Sequence, residues 1–199
     1  MANFDLERVL GRFAHYSYVS GKTSLSESLR SNQLKSKKWL VYEITKFKTK
    51  FKKVAVLGSW NSVLLYELMS DKAKVDSWDF FDLDQTAHDS RDQYFIHNQM
   101  KMNYNSFTLD VTQLFDKPEI AQSYDLIINP SCEHMTDLTA IEGPMYALTS
   151  NNYVTVKDHI NTIGHHEDLA VKNGIRNVFY QGTLKLPNYE RYCVIGYAK

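Results

Sequence analysis

The run Val54-Ala-Val-Leu-Gly58-Ser-Trp-Asn-Ser62, followed about one βαβ unit later by Phe80-Phe-Asp82-Leu-Asp84, constrains this chain more than any other feature. An apolar run ending in glycine, an amphipathic stretch, and a second apolar run ending in aspartate are the parts from which an open parallel sheet builds a nucleoside site. Glycine lets the backbone approach a ligand, and the aspartate can accept hydrogen bonds from ribose hydroxyls. An adenosine-type ligand at the carboxyl edge of a sheet is the expectation.

The remaining pattern extends this sheet. Strands are predicted at Val54 to Leu57, Lys74 to Phe81, Ser106 to Leu109, Tyr124 to Ile128 and Met145 to Thr149. Helical or mixed stretches lie between them at Ser62 to Ser70, Gln85 to Asn98, Val111 to Gln122 and Thr136 to Glu142. Such alternation implies a mostly parallel sheet with right-handed crossovers. The end of the chain breaks it: Asn177 to Leu186 and Arg191 to Tyr197, split by Pro187-Asn-Tyr-Glu, read as a β-hairpin. Val154 to Ala170 reads as a helix carrying His159, His165 and His166. Residues 1–50 read as a helical preface that covers the sheet or gates the site. Phe4 to Phe13 has helical apolar spacing, Ser24 to Arg30 suggests a short helix, and Ser36 is a candidate cap for a helix from Lys37. The division expected is a helical extension over 1–50 and an α/β domain over 51–199.

Composition narrows the setting. At 199 residues the chain can bury a full core. No apolar stretch approaches the ~20 residues that span a bilayer, and no signal peptide is evident, so no membrane partner and a cytoplasmic location are expected. Cys132 and Cys193 are far apart and in no metal-ligand spacing. Lys+Arg and Asp+Glu are equal at 23 each, which removes a global electrostatic case for nucleic acid. A local case remains in Lys35, Lys37, Lys38, Lys46, Lys48, Lys50, Lys52 and Lys53, opposed only by Glu43. This segment reads as a solvated helix and linker, or alternatively as a phosphate-contacting patch beside the active edge. Tyr42, Phe47 and Phe51, lying among these lysines, read as core.

These pieces together resemble the class I S-adenosylmethionine-dependent methyltransferases over roughly residues 50–199. The resemblance implies a Rossmann-like, doubly wound, mostly parallel α/β sheet of about seven strands ending in an antiparallel hairpin. It also implies S-adenosylmethionine as cofactor. The first-strand loop would be Leu57-Gly58-Ser59-Trp60-Asn61, the ribose-binding acid Asp82 with Asp84 as near alternative, and the acid near the adenine amino group Asp110, followed by Val111. Asn129-Pro130-Ser131-Cys132-Glu133-His134 would occupy the catalytic position, with Asn129 also near the cofactor. The family's first loop has several glycines, whereas Gly58 stands alone before Trp60. A nicotinamide site shares the first two landmarks but predicts a fuller Gly-x-Gly-x-x-Gly turn.

Asn129-Pro130 matches two residues of the Asn-Pro-Pro-aromatic motif of amine-directed methyltransferases, in which the asparagine orients the acceptor nitrogen. Ser131 and Cys132 depart from it. Glu133 and His134 add acid-base capacity, so Asn129, Glu133 and His134 are the expected catalytic groups. Pro130, Ser131, Asn151, Asn152 and Tyr153 are expected to bind the acceptor, Tyr153 by stacking on a ring. The three later histidines read as solvent-facing, and no metal site is expected. The expected activity is methyl transfer to a small-molecule or other accessible acceptor. Alternatives are a nucleic-acid base N-methyltransferase, a noncatalytic adenosine-ligand binding protein that retained the fold, and cleavage of the cofactor without an acceptor.

Overall fold

The computed structural model describes residues 4–21 and 25–199. The chain runs α1 (Leu6–Ser20), α2 (Ser31–Phe47), β1 (Lys50–Leu57), α3 (Val63–Lys72), β2 (Lys74–Asp82), α4 (Gln85–His97) and β3 (Tyr104–Thr108). It continues through α5 (Thr112–Phe115), α6 (Pro118–Ala121), β4 (Leu126–Asn129), β5 (Met145–Asn151), α7 (His166–Lys172), β6 (Asn177–Lys185) and β7 (Glu190–Tyr197). The strands form one sheet in the order β3-β2-β1-β4-β5-β7-β6. β1 to β5 are parallel neighbours, and β7 runs antiparallel to both β5 and β6.

Alternation along the strands sorts the sheet into two buried faces. Val54 and Val56 of β1, Leu126 and Ile128 of β4 and Ile195 of β7 face a core shared with α1 to α4. Ala55, Leu57, Ile127, Leu148 and Val194 face the other core, where Leu114, Ala121 and Leu169 of α5, α6 and α7 pack. The near-continuous burial of β4 and β5 is what a parallel strand covered on both sides requires.

The N-terminal helices belong to the first of these cores. Val9, Phe13 and Tyr16 of α1 and Trp39, Leu40, Val41 and Ile44 of α2 are buried there. α1 is also clamped by charge. Glu67 of α3 is fully buried and accepts from Arg8 Nη1 at 3.0 Å, Arg12 Nη1 at 2.9 Å and the Tyr94 hydroxyl at 2.9 Å. Burial and the Glu67 carboxylate push the Tyr94 phenol well above its usual range.

Several sequence expectations differ. α2 starts at Ser31, and Ser36 lies inside it with its hydroxyl bonded to the Asn32 carbonyl rather than capping. Only Ser26–Leu29 of the expected early helix is helical, as a 3₁₀ turn, and Ser24 lies outside the described residues. The stretch Val111 to Gln122 is split into α5 and α6 because Pro118 can start a helix but not continue one. Thr136 to Glu142 is irregular, its backbone satisfied from outside: Leu138 and Ala140 donate to the Asn173 side chain and carbonyl, and Ile141 to the Tyr146 hydroxyl. The helix expected over Val154 to Ala170 is confined to α7. The preceding loop is pulled onto the sheet edge, Asn161 donating to the Glu133 carbonyl and Ile163 to that of Asn151.

The lysine segment is dispersed. Lys50, Lys52 and Lys53 sit at the amino end of β1, the edge opposite Gly58, so they do not form a patch beside the carboxyl edge. Lys46 pairs with Glu43, Lys48 with Asp125 and Lys53 with the buried Asp79. Of its aromatics Phe51 is buried and Tyr42 packs against the core, whereas Phe47 is exposed and tilts against Phe179. Among the described residues no helix is long and apolar enough to cross a membrane.

Candidate functional site

Two cavities open at the carboxyl edge of the sheet. The first, of about 620 Å³, lies over β1 and β2 and takes in Gly58, Ser59, Trp60, Asp82, Asp110 and Val111. Its size suits a nucleoside cofactor, since small-molecule sites run from about 300 to 1,000 Å³.

The loop beneath it is built from left-handed backbone: Gly58, Trp60 and Ser62 have φ of 55°, 45° and 47°. Side chains with a Cβ disfavour that region, so Trp60 and Ser62 must be held there. Asp82 does part of this, its Oδ2 accepting the Trp60 N–H at 2.6 Å while Oδ1 accepts that of Asp84 at 2.9 Å. Asn61 does the rest, its Oδ1 accepting from the Val63 N–H at the start of α3 and from the Ser28 hydroxyl. At Gly58 the φ of 55° favours glycine, and a Cβ there would also lie 2.5 Å from Met135 Cε, the mobile end of a flexible side chain. Both Asp82 oxygens thus already have a partner, but each keeps a lone pair for a ligand hydroxyl.

Between Asp82 and Asp110 the walls are apolar. Leu83, Leu109 and Val111 line the cavity, and Leu83 is 71% exposed, so a flat ring would cover it. Asp110 lines the same wall, and its Oδ1 is engaged by the Thr112 N–H and hydroxyl, which hold the carboxyl below its ordinary value. Asp84 is not among the lining residues. It caps α4 by accepting from the Thr86 N–H and hydroxyl, so the near alternative to Asp82 serves the helix instead.

The second cavity, of about 490 Å³, meets the first along Gln33, Lys37, Pro130, Ser131 and His134. Glu133, Asn151, Tyr153, His159, Tyr189 and Arg191 complete much of its wall. At its base is a buried ion pair, Arg191 Nη2 to Glu133 Oε1 at 2.9 Å. Arg191 Nη1 also donates to the Pro130 carbonyl at 3.0 Å, and Asn151 Nδ2 to Glu133 Oε1 at 2.6 Å. Glu133 Oε2 is buried without a hydrogen-bond partner. His134 and His159 stand edge to face with centroids 4.6 Å apart, and Tyr153 stacks on Tyr189 at 5.3 Å.

Two of the residues expected here, and one expected elsewhere, are placed otherwise. Asn129 is fully buried and outside both cavity linings, its Oδ1 accepting the Ser131 N–H and its Nδ2 contacting Met135 Sδ at 2.9 Å. With both polar ends engaged in shaping the loop, Asn129 presents no group to either cavity and is not positioned to orient an acceptor amine or touch the cofactor. Asn152 turns to the hairpin, accepting from the Glu190 N–H and donating to the Tyr192 hydroxyl. His159 is not on a solvent-facing helix but in the 152–165 loop against His134.

Lys37, Arg191 and His159 are the residues that sequence reasoning missed. Lys37 is half-buried on α2, and loss of water together with the Arg191 charge pushes its pKa down to about 7, against the pull of Glu133. An unfolded lysine keeps its proton up to about 10.5, so between about 7 and 10.5 the unfolded state binds more protons and rising pH favours the folded state. The stability of the wild type relative to Lys37→Met should therefore climb across that window in urea titrations. A difference flat in pH would refute the depressed lysine.

No protein-family model matches the sequence, and no curated protein matches it. Solved structures do. A Galdieria sulphuraria protein provisionally assigned as a sarcosine dimethylglycine methyltransferase superposes with a TM-score of 0.58 at 13% identity, over 93% of this chain and 97% of that one. TehB from Haemophilus influenzae gives 0.57 at 12% identity, over 80% of this chain and 61% of that one. Streptococcus pneumoniae Sp1610, provisionally assigned as a tRNA (m1A22) methyltransferase, gives 0.51 at 11% identity, over 80% and 70%. Together with the strand order, these show a class I S-adenosylmethionine-dependent methyltransferase fold.

Proposed function

We propose that the chain binds S-adenosylmethionine in the first cavity and transfers its methyl group to a small or readily accessible acceptor in the second. The observation that carries this reading is the shared wall: the two cavities join at Pro130, Ser131 and His134, just past the end of β4. Methyl transfer is a displacement at carbon that needs chiefly a nucleophile held in line with the sulfonium methyl in a water-poor pocket. Two cavities meeting at one wall support that reading.

In this reading Asp82 accepts from the ribose hydroxyls, Leu83 and Val111 flank the adenine beside Asp110, and the loop of Gly58, Ser59 and Trp60 underlies the methionine portion. The positive end of α3 complements the methionine carboxylate. Glu133 and His134 orient the acceptor, Pro130, Ser131 and Asn151 shape its bed, and Tyr153 stacks on a ring if the acceptor has one. Lys37, facing both cavities with Arg191 and Glu133 as its charged neighbours, takes the proton that the acceptor releases. A small acceptor is favoured over a nucleic acid because the basic side chains of residues 35–53 are scattered or paired rather than gathered at this edge.

The test is transfer of labelled methyl from S-adenosylmethionine into fractionated small-molecule and RNA pools. Incorporation into the small-molecule fraction, lost in His134→Ala, is the expected result. Incorporation into RNA alone would replace the acceptor class, and none into any pool with cofactor bound would favour a noncatalytic binding protein.

A further inference from the structure

Glu133, His134 and His159 each bring one ligand atom into a group whose members lie within 4.8 Å of one another. Three donors at about 2.1 Å from a common ion stand about 3.4–3.6 Å apart, so side-chain movements on the order of an ångström close the set. The protein already orients both rings. His134 Nδ1 lies 3.2 Å from the Asp158 carbonyl oxygen, and His159 Nδ1 lies 2.5 Å from that of Tyr153. A carbonyl accepts only from a protonated nitrogen, so in the neutral form of each ring the lone pair is on Nε2. Ring N–H groups anchored on backbone carbonyls are the usual support of metal-binding histidines.

The carboxylate is prepared in a complementary way. Glu133 is 1% exposed, and while Oε1 serves Arg191 and Asn151, Oε2 is buried with no partner. An orphaned buried carboxylate oxygen costs folding free energy unless something completes it. The loop that carries His159 is tied to this same turn, Asn161 donating to the Glu133 carbonyl and, through Nδ2, to that of Met135.

We infer that Glu133, His134 and His159 form a binding site for one divalent transition-metal ion on the wall of the second cavity. Two neutral imidazoles and a carboxylate shared with Arg191 suit zinc, iron, manganese or cobalt better than magnesium or calcium, which prefer all-oxygen sites. Three protein ligands leave positions open toward the cavity that all three residues line. The role of the ion in catalysis rests on the methyltransferase reading. There it would take an acceptor hydroxyl and ease loss of its proton to Lys37. The oxygen then forms its bond to the methyl carbon as the carbon–sulfur bond breaks, and the bonding pair stays on sulfur to give S-adenosylhomocysteine. Acceptors with an oxygen nucleophile are thereby favoured over amines.

Cobalt(II) titration of chelator-treated full-length protein tests the site, read by calorimetry and by the visible absorption of the bound ion. One ion per chain is expected, with more than tenfold weaker binding in His159→Ala, a half-buried position outside the core. The surface trio His165, half-buried His166 and Glu167 is the competing locus, so His165→Ala/His166→Ala should bind as the wild type does. No binding by the wild type, undiminished binding by His159→Ala, or a loss confined to the double variant would each overturn the inference. S-adenosylhomocysteine binding measured on the same preparations separates the two proposals: cobalt bound without the nucleoside would leave the metal site standing and remove the methyltransferase reading.

Discussion

Asp82→Ala is expected to weaken binding of S-adenosylmethionine and S-adenosylhomocysteine by about a hundredfold or more. The carboxylate stands at the end of β2, with a lone pair left on each oxygen after the bonds to the Trp60 and Asp84 N–H groups. A pair of ribose hydroxyls donating to these oxygens would make two charge-assisted bonds of about 1.5–3 kcal/mol each, and each 1.4 kcal/mol is tenfold in affinity. The substitution also frees Trp60, whose left-handed backbone Asp82 holds, so the loop under the cofactor loosens as well. Asp82→Asn keeps one acceptor oxygen and should fall between the two. Calorimetric titration decides the matter, and an Asp82→Ala affinity within threefold of wild type would displace Asp82 from the ribose.

The largest stability effect is expected at the base of the acceptor cavity. The side chains of Arg191 and Glu133 are 7% and 2% exposed, so Arg191→Met leaves a buried carboxylate with only Asn151 as a donor. Removing one partner of such a pair costs about 3–5 kcal/mol, because the remaining charge is neither solvated nor matched. The Pro130 carbonyl loses its donor at the same time, which unsettles the wall where the cavities join. Adding Glu133→Gln to Arg191→Met should return much of the loss, since the stranded charge is then gone. Urea unfolding of the two single variants and the double variant gives the coupling directly; strictly additive effects would mean that the pair contributes nothing as a pair.

Much of the scaffold was legible because its signals are local. Val54 to Gly58 and Phe80 to Asp82 announce strands by uninterrupted apolar runs and announce their ends by the residue that follows. The closing hairpin announces itself by β-branched and aromatic residues around Pro187. The mostly parallel sheet followed from alternation and the handedness of crossovers, which are rules about neighbours, whereas the strand order came from the structure. The acceptor side was less legible. Arg191 reads as one polar residue in an edge hairpin, and only the antiparallel register opposite Asn151 brings it to Glu133. Lys37 is one of eight lysines in its segment, and nothing local distinguishes the one whose amine turns into the site. His159 is hard to place from sequence because the 154–170 spacing imitates a helix, whereas only His166–Lys172 is helical. Asn161 and Gly164, both poor helix formers, were the available warning. Asn129 illustrates the opposite error: a motif residue in the right place whose side chain is consumed by the turn it builds.

The most direct test of the central claim is isothermal titration of the purified protein with S-adenosylmethionine and S-adenosylhomocysteine, with NAD as control and Asp82→Ala in parallel. The account predicts one site per chain for both sulfur nucleosides, none for NAD, and loss of the heat in Asp82→Ala. Absence of binding by either nucleoside to the wild type would contradict it and reduce the Gly58 loop to a strand-to-helix turn.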